Sequence, residues 1–147
     1  MAPQISARIS EFVEALPLEA GLRVLEIGCG PGVAARAAAK RIGDGFILAI
    51  DRSEKAIRLA RAGSSNEMAA GSLDFRCVAI EDFALNSGDA RFDIAFAMRV
   101  GALDGRHPEA GREALKRIKA ALKPGGRLFT DGGDPLKEIE LDCGLSS

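Results

Sequence analysis

The chain has 147 residues, a formal net charge of −1 and 47% hydrophobic residues, which predicts one globular domain with an ordinary buried core. A nearly neutral chain has no overall electrostatic attraction to nucleic acid or to an anionic membrane surface, so neither is expected as a partner. No apolar run approaches the roughly 20 residues of a membrane span, and the first residues lack the apolar core of a signal peptide. Trp and Tyr are absent, which disfavours an aromatic cage or a base-stacking platform.

The segment of residues 1–20 is expected to form a covering helix over the sheet, and Pro17 ends this helix. The apolar residues of this segment follow a helical spacing and form one stripe: Ile5, Ile9, Phe12, Val13 and Leu16. A second interpretation of the same helix is a lid over a ligand pocket.

Five short apolar runs follow and predict strands at residues 22–27, 46–50, 73–78, 92–98 and 127–130. Helical patterns separate them over residues 33–42, from Ser53 as N-cap to about residue 61, and from Pro108 to about residue 122. Residues 63–66 are predicted to form a loop. This alternation predicts a single α/β domain over residues 1–147, with a mainly parallel sheet and helices on both faces, a three-layer α/β/α architecture.

The three cysteines lie far apart in the sequence, at Cys29, Cys77 and Cys143. They have neither the CxxC spacing of a metal site nor the pattern of a disulfide framework, so we predict no metal centre and a reduced, cytoplasmic location. Cys29 lies in a glycine-rich turn, where a small buried residue favours a structural role. Cys77 follows the alternation of the third strand and is expected in the core.

Polar residues cluster at the edge formed by the carboxyl ends of the predicted strands, where parallel sheets bind ligands. The residues at these strand ends are Glu26, Asp51, Glu81, Asp82, Met98, Arg99 and Asp131. After the first strand, Gly28, Gly30 and Gly32 predict a tight turn at a helix start, which offers free backbone N–H groups to a ligand. Asp51, 21 residues after Gly30, is placed to accept hydrogen bonds from both hydroxyls of a ribose.

The spacing of the glycines narrows the choice of ligand. A dinucleotide-binding turn has the pattern GxGxxG, whereas the sixth position here is Val33. The sequence also lacks the GxxxxGK[ST] loop that cradles a nucleoside triphosphate. A redox enzyme with a dinucleotide cofactor therefore remains an alternative that the glycine spacing disfavours.

Four motifs, in this order, resemble those of the class I, Rossmann-like methyltransferases that use S-adenosylmethionine. They are the VLEIGCGPG sequence of residues 24–32, Asp51, the FDIA sequence of residues 92–95 and the LKPGGRL sequence of residues 122–128. The resemblance covers roughly residues 5–133 and implies S-adenosylmethionine as the cofactor. The sheet of that family normally continues past strand five, but only 14 residues follow Gly133, so we expect a shortened sheet with a short tail over residues 134–147.

The edge of a shortened sheet would be apolar and exposed, which favours pairing with another strand. Either residues 137–141 fold back as a covering strand, or the edge pairs with a second copy of the chain in a homodimer. These two alternatives predict different neighbours for the fifth strand.

The resemblance also implies roles for individual residues. Glu26 would hold the methionine end of the cofactor, through water to its ammonium. Gly28 and Gly30 would leave room for the methionine and the ribose, and Asp51 would bind the ribose hydroxyls. The remaining residues expected to contact the cofactor are Cys29 in the turn, Ile80 and Glu81 beside the adenine, and Met98 and Arg99 near the transferred methyl. Arg52 replaces the apolar residue that usually stacks on adenine, and a guanidinium plane can also stack. Ala79 stands where many relatives carry Asp, so Glu81 or Asp82 would have to replace it.

Methyl transfer requires an aligned acceptor and the exclusion of water, and a base only where the acceptor carries a proton. His107, the only histidine, is a candidate base, although a histidine before proline at a helix start also fits a solvated cap. Asp104 and Arg106 share its loop and are candidates for binding a charged substrate. The basic residues of two helices are interpreted as solvated faces: Arg36, Lys40 and Arg41, then Arg52, Lys55, Arg58 and Arg61.

We therefore predict an S-adenosylmethionine-dependent methyltransferase that acts on a small-molecule acceptor. The alternative is a non-catalytic module that binds S-adenosylmethionine or S-adenosylhomocysteine but lacks a full substrate pocket.

Overall fold

The structure is a computed structural model and describes residues 5–98 and 108–141. In this part of the chain the α-helices are α1 (Ala7–Ala15), α2 (Val33–Ala39), α3 (Glu54–Ala62), α4 (Ser65–Ala69) and α5 (Pro108–Ala121), and a short 3-10 helix spans Ile80–Asp82. The strands are β1 (Arg23–Ile27), β2 (Phe46–Asp51), β3 (Leu73–Cys77), β4 (Phe92–Ala97), β5 (Leu122–Thr130) and β6 (Lys137–Ile139). The five predicted strands are confirmed.

The six strands form one sheet in the order β3-β2-β1-β4-β5-β6. The first five are parallel to one another, and β6 is antiparallel to β5. The chain thus builds outward from β1 in one direction, then crosses back to β4 and builds in the other. The carboxyl ends of β1 and β4 flank the point where the strand order reverses, and a crevice for a ligand forms at such a point.

Helices cover both faces of the sheet, which confirms the predicted α/β architecture. On one face, buried residues of α1, α2 and α3 pack on β1, β2 and β3, and the ring centroids of Phe12 and Phe96 lie 5.8 Å apart. The short side chains of α2 allow this helix to lie close to the sheet, since four of its alanines are buried. The opposite face is covered by α5 and by the 3-10 helix.

Two helices begin where side chains cap them. The Ser6 hydroxyl accepts a hydrogen bond from the backbone N–H of Ile9, and Ser53 accepts one from Ala56, as N-cap residues do. The covering helix α1 is shorter than the segment 1–20 that the sequence suggested. The loop predicted at residues 63–66 is wrong in part, because α4 begins at Ser65, and Met68 packs against the core.

The expectation that Cys77 is buried is wrong. Cys77 is exposed, although the alternation along β3 places it on the same face as the buried Leu73 and Phe75. It lies at the carboxyl end of β3, the strand at one edge of the sheet, and its thiol donates to the backbone carbonyl of Arg52 at 3.6 Å. Periodicity gives the face of a residue, but its exposure also depends on where the strand lies.

The Lys-Pro-Gly-Gly sequence forms an irregularity at the start of β5. Phe92 pairs with Leu122 and Ile94 pairs with Arg127, so β5 has three more residues than β4 between these two pairs. Gly125 has a φ of +82°, and a Cβ on Gly126 would lie 2.8 Å from the Cβ of Leu122. The glycines therefore allow the backbone to turn here before β5 continues into the core.

Strand β6 covers the outer edge of β5. Leu128 lies opposite Ile139 and Thr130 opposite Lys137, and the Arg127 guanidinium donates to both carboxylate oxygens of Glu138 at 3.0 and 2.7 Å. This confirms the first of the two alternatives for the tail, since the edge of β5 is occupied by the same chain.

Among the described residues, no helix combines the length and the apolar character needed to cross a bilayer.

Candidate functional site

The glycine turn, residues 28–32, connects the end of β1 to α2 at the predicted ligand edge. Gly28, Gly30 and Gly32 all have left-handed backbone angles, with φ values of 72°, 54° and 88°, which other residues adopt at a cost. The backbone N–H groups of Gly28 and Cys29 both donate to the carbonyl of Ile50, at 2.8 and 3.0 Å. The turn is therefore fixed to the end of β2.

Gly30 faces open space. A Cβ at this position would meet no other atom within 4 Å, so close packing within the protein does not explain the absence of a side chain. The positive φ explains the choice of glycine, and the space beside it is available for a ligand to approach the backbone. This is the arrangement expected of a glycine at a binding turn.

Asp51, at the end of β2, holds the turn with one oxygen and the next helix with the other. Its Oδ2 accepts from the backbone N–H of Gly30 at 2.9 Å, and its Oδ1 accepts from the N–H of Ser53 at 2.9 Å. A carboxylate has about four acceptor positions, so each oxygen keeps capacity for a further donor such as a ribose hydroxyl. The carboxylate that the sequence assigned to a ligand thus also organises the protein around it.

Glu26 is a buried carboxyl with an unused acceptor. Its side chain is 2% exposed, and Oε1 has no hydrogen-bond partner among residues 5–98 and 108–141. Burial raises the pKa of this carboxyl well above its usual range, the negative charge of Asp51 raises it further, and the Arg36 guanidinium lowers it. A buried, unpaired carboxyl oxygen is costly, and a ligand that brings a positive charge would satisfy it.

Cys29 lies inside the turn and is 6% exposed. Burial raises the pKa of its thiol far above the ordinary value, and the charges of Glu26 and Asp51 add to this effect. A thiol held in its neutral form is a poor nucleophile. The buried side chain therefore fits a structural role within the turn.

The other residues expected to contact the cofactor differ in their exposure. Arg52 is exposed beside Asp51, where its guanidinium is accessible to a ligand. Ile80, the first residue of the 3-10 helix, is 4% exposed and packs in the core, so most of its surface is already covered. Glu81 and Met98 are half-buried. Four further candidates lie outside the described residues: Arg99, Asp104, Arg106 and His107.

At the end of β5, Asp131 brings helix α1 to the same edge. The Arg8 guanidinium lies 2.6 Å from the Asp131 carboxylate, and Asp131 directly follows the last residue of β5. The ion pair ties the covering helix to the edge of the sheet that carries the turn.

The interpretation of the basic residues on α2 and α3 as solvated is wrong for Arg36, which is half-buried. Arg36 donates to the carbonyl of Pro31 at 3.0 Å and to the hydroxyl of Ser64 at 2.9 Å. Arg41 and Arg61 are exposed, as predicted, although Arg41 also donates to the carbonyl of Val13 and Arg61 to a backbone carbonyl of β3 at 2.5 Å. One signal was available in the sequence, because Arg36 follows Gly32 by four residues and such residues share a helix face.

The sequence model of a family described as a methyltransferase domain matches residues 24–126. A ubiquinone biosynthesis O-methyltransferase of Acinetobacter baylyi is 30% identical over 110 residues, which are 75% of this chain and 43% of that protein. Another of the same name, from Nitrobacter winogradskyi, is 38% identical over 74% of this chain and 38% of its own. An O-methyltransferase of Aspergillus nomiae is 34% identical over 88% and 56%. The chain spans less than half the length of the two ubiquinone relatives.

Solved structures share the fold. The [4+2]-cyclase SpnF superposes with a TM-score of 0.68 and 29% identity, over 83% of this chain and 42% of that one. A SAM-dependent methyltransferase of Thiobacillus denitrificans, in complex with S-adenosyl-L-homocysteine, superposes with a TM-score of 0.67 and 23% identity, over 88% and 49%. The same architecture thus occurs in proteins named for different reactions, so function has to be argued from the site.

Proposed function

This chain belongs to the methyltransferase domain family, and from that premise we propose that it binds S-adenosylmethionine and transfers a methyl group to a small-molecule acceptor. The observation that carries the proposal is Glu26, a buried carboxyl whose Oε1 has no partner among the described residues. The ammonium of a methionine moiety is the kind of group that would complete it, either directly or through water.

The neighbouring residues supply the other contacts that this cofactor needs. The glycine turn leaves open space beside Gly30, and Asp51 retains acceptor capacity for the two ribose hydroxyls. The exposed Arg52 is available to stack on the adenine, and the half-buried Glu81 to bind its polar edge. These residues belong to three different segments that the sheet brings to one edge, which supports a single adenosyl site.

When bound, S-adenosylmethionine supplies a methyl group that its sulfonium already activates for displacement. The protein then has to align the acceptor and keep water from the reacting atoms. Met98, which packs against the core at the end of β4, and helix α1, tied to the edge by the Arg8–Asp131 pair, would form walls on the acceptor side. The names of the curated relatives favour a hydroxyl acceptor, for which His107 is the candidate base.

Calorimetric titration of the purified chain with S-adenosylhomocysteine and with NAD tests the cofactor. We expect saturable binding of S-adenosylhomocysteine at one site and no response to NAD. Tight binding of NAD without a response to S-adenosylhomocysteine would refute the proposal and would favour dinucleotide chemistry.

A transfer assay then tests the reaction. Methyl-labelled S-adenosylmethionine and a panel of small phenols, catechols and aliphatic alcohols should give labelled product with at least one acceptor. Cofactor binding without transfer to any member of the panel would favour the alternative, a non-catalytic binding module.

A further inference from the structure

We infer that Arg36 is a positioning residue for the adenosyl site, because its guanidinium joins the glycine turn to the α3–α4 junction. This inference rests on the proposed function, because it assigns Arg36 a part in binding the cofactor. It also gives a role to a residue that periodicity alone assigned to solvent.

The first observation is the pair of hydrogen bonds made by one guanidinium nitrogen. Nη1 of Arg36 lies 3.0 Å from the carbonyl oxygen of Pro31, inside the glycine turn. The same nitrogen lies 2.9 Å from Oγ of Ser64, and Ser64 is fully buried between α3 and α4. A single side chain therefore connects the turn to a segment more than 30 residues later, through charge-assisted hydrogen bonds.

The second observation is that two glycines make room for the guanidinium. A Cβ on Gly32 would lie 2.9 Å from Nη1 of Arg36, and a Cβ on Gly63 would lie 3.0 Å from the same nitrogen. A side chain at either position would push the guanidinium out of its place. Gly32 belongs to the turn and Gly63 to the α3–α4 junction, so both segments that Arg36 connects are shaped to receive it.

The third observation is electrostatic. The charged or titratable groups of the described residues that act on Glu26 are Asp51, Arg36 and the Cys29 thiol, and its strand neighbours in register, Ala49 and Phe96, carry no charge. Burial and Asp51 raise the pKa of Glu26, whereas Arg36 lowers it. Arg36 is therefore the group among these that favours the ionised carboxylate, which is the form that an ammonium pairs with.

The experiment is a calorimetric titration with S-adenosylhomocysteine at several pH values between about 5.5 and 8. It compares the wild type with Arg36→Met, which loses the charge and both hydrogen bonds, and with Arg36→Lys, which keeps the charge but not the planar fork. Ser64→Ala removes one hydrogen bond alone. Arg58→Met, on the exposed face of α3, is the matched control for the loss of one positive charge.

We expect Arg36→Met to weaken binding about ten- to a hundredfold near neutral pH, the range that corresponds to lost hydrogen bonds of a charged group. As the pH is lowered, the affinity of Arg36→Met should begin to fall at a higher pH than that of the wild type, because Glu26 without Arg36 keeps its proton to a higher pH. Arg36→Lys and Ser64→Ala should bind more weakly while the pH dependence stays that of the wild type. Arg58→Met should leave both properties unchanged.

The titrations distinguish a failure of the proposed function from a failure of the role of Arg36. A wild type that does not bind S-adenosylhomocysteine refutes the proposed function, and the inference falls with it. A wild type that binds, with an Arg36→Met variant of equal affinity and pH dependence, overturns the inference alone. If Arg36→Met does not fold, Arg36→Lys and Ser64→Ala decide, since wild-type affinity in both would overturn the inference and weakened affinity with an unchanged pH profile would support it.

Discussion

The substitution Glu26→Gln tests the buried carboxyl most directly, because glutamine has nearly the same shape and does not ionise. Glu26 is 2% exposed, and burial together with the charge of Asp51 raises its pKa well above the ordinary range despite the opposing effect of Arg36. The folded protein therefore keeps a proton on this group at pH values at which the unfolded chain has released it. Folding without cofactor is then coupled to proton uptake.

The sign and the size of the effect follow from that coupling. Where the unfolded state binds fewer protons, the free energy of unfolding falls as the pH rises, by up to about 1.4 kcal/mol per pH unit for one group. The loss begins near pH 4.5, the ordinary pKa of the group, and ends at the raised pKa of the folded state. Glu26→Gln removes this contribution, so its stability relative to the wild type should grow by about 1 kcal/mol between pH 5 and 6 and by about 1.4 kcal/mol for each further unit in the window.

Urea denaturation of both proteins at pH 5, 6 and 7, without cofactor, measures this difference. The fixed cost of burying an amide shifts all three values equally, so only the change with pH carries the result. Glu14→Gln, on the exposed face of α1, gives the effect of the same substitution at a solvated position. A constant difference between wild type and Glu26→Gln from pH 5 to 7 would refute the reasoning.

Added S-adenosylhomocysteine should reduce the stability advantage of Glu26→Gln over the wild type. A ligand at 100 times its dissociation constant stabilises the folded state by about 2.7 kcal/mol, and the wild type should gain this amount at a concentration where Glu26→Gln gains less. A variant that is more stable alone but is stabilised less by the cofactor would identify Glu26 as a residue kept for binding at a cost in stability. Equal gains would show that the carboxylate does not contact the ligand.

Three further substitutions test other parts of the structure. Asp51→Asn leaves one acceptor oxygen where two are used, one of them by Gly30, and should cost about 1–3 kcal/mol in urea denaturation and weaken S-adenosylhomocysteine binding in calorimetry; wild-type values in both would contradict its double role. Phe12→Ala empties a site that is 1% exposed and should cost about 3–5 kcal/mol, whereas a loss below about 1 kcal/mol by the same assay would mean that α1 does not dock on the sheet. Glu138→Gln breaks a half-exposed ion pair with Arg127 and should cost less than about 1 kcal/mol; a larger thermal destabilisation would show that β6 depends on this pair.

The sequence was most informative where a structural signal is local. An apolar run followed by glycines on alternate positions specifies a strand, a tight turn and a helix start within ten residues, and Asp51 directly ends the next apolar run. Such segments fold in the same way wherever they lie in the sheet, so the strands, their parallel arrangement and the position of the glycine turn were predicted.

Two of the errors have the same physical cause, because each depends on residues far apart in the chain. The role of Arg36 requires Ser64 and Gly63, and the exposure of Cys77 requires knowing that β3 is an edge strand. A short stretch of sequence around Arg36 or Cys77 does not contain the distant residues that decide its environment. Helix α4 was missed for a different reason, since a segment of five residues beginning with Ser-Asn gives too short a pattern to distinguish from a loop.

Under the proposed function, the two halves of the sheet would have different roles in the site. The half that holds the turn is preorganised, because the Ile50 carbonyl, the Asp51 carboxylate and the Arg36 guanidinium all fix residues 28–32, and such a framework would bind an adenosyl group without further ordering. The other half, at the ends of β4 and β5, faces the space where an acceptor would lie. Proteins of this fold are named both as methyltransferases and as a cyclase, so one architecture supports more than one reaction. Substitutions at the turn should therefore change cofactor affinity for every acceptor alike, whereas substitutions near Met98 and Asp131 should change which acceptor reacts.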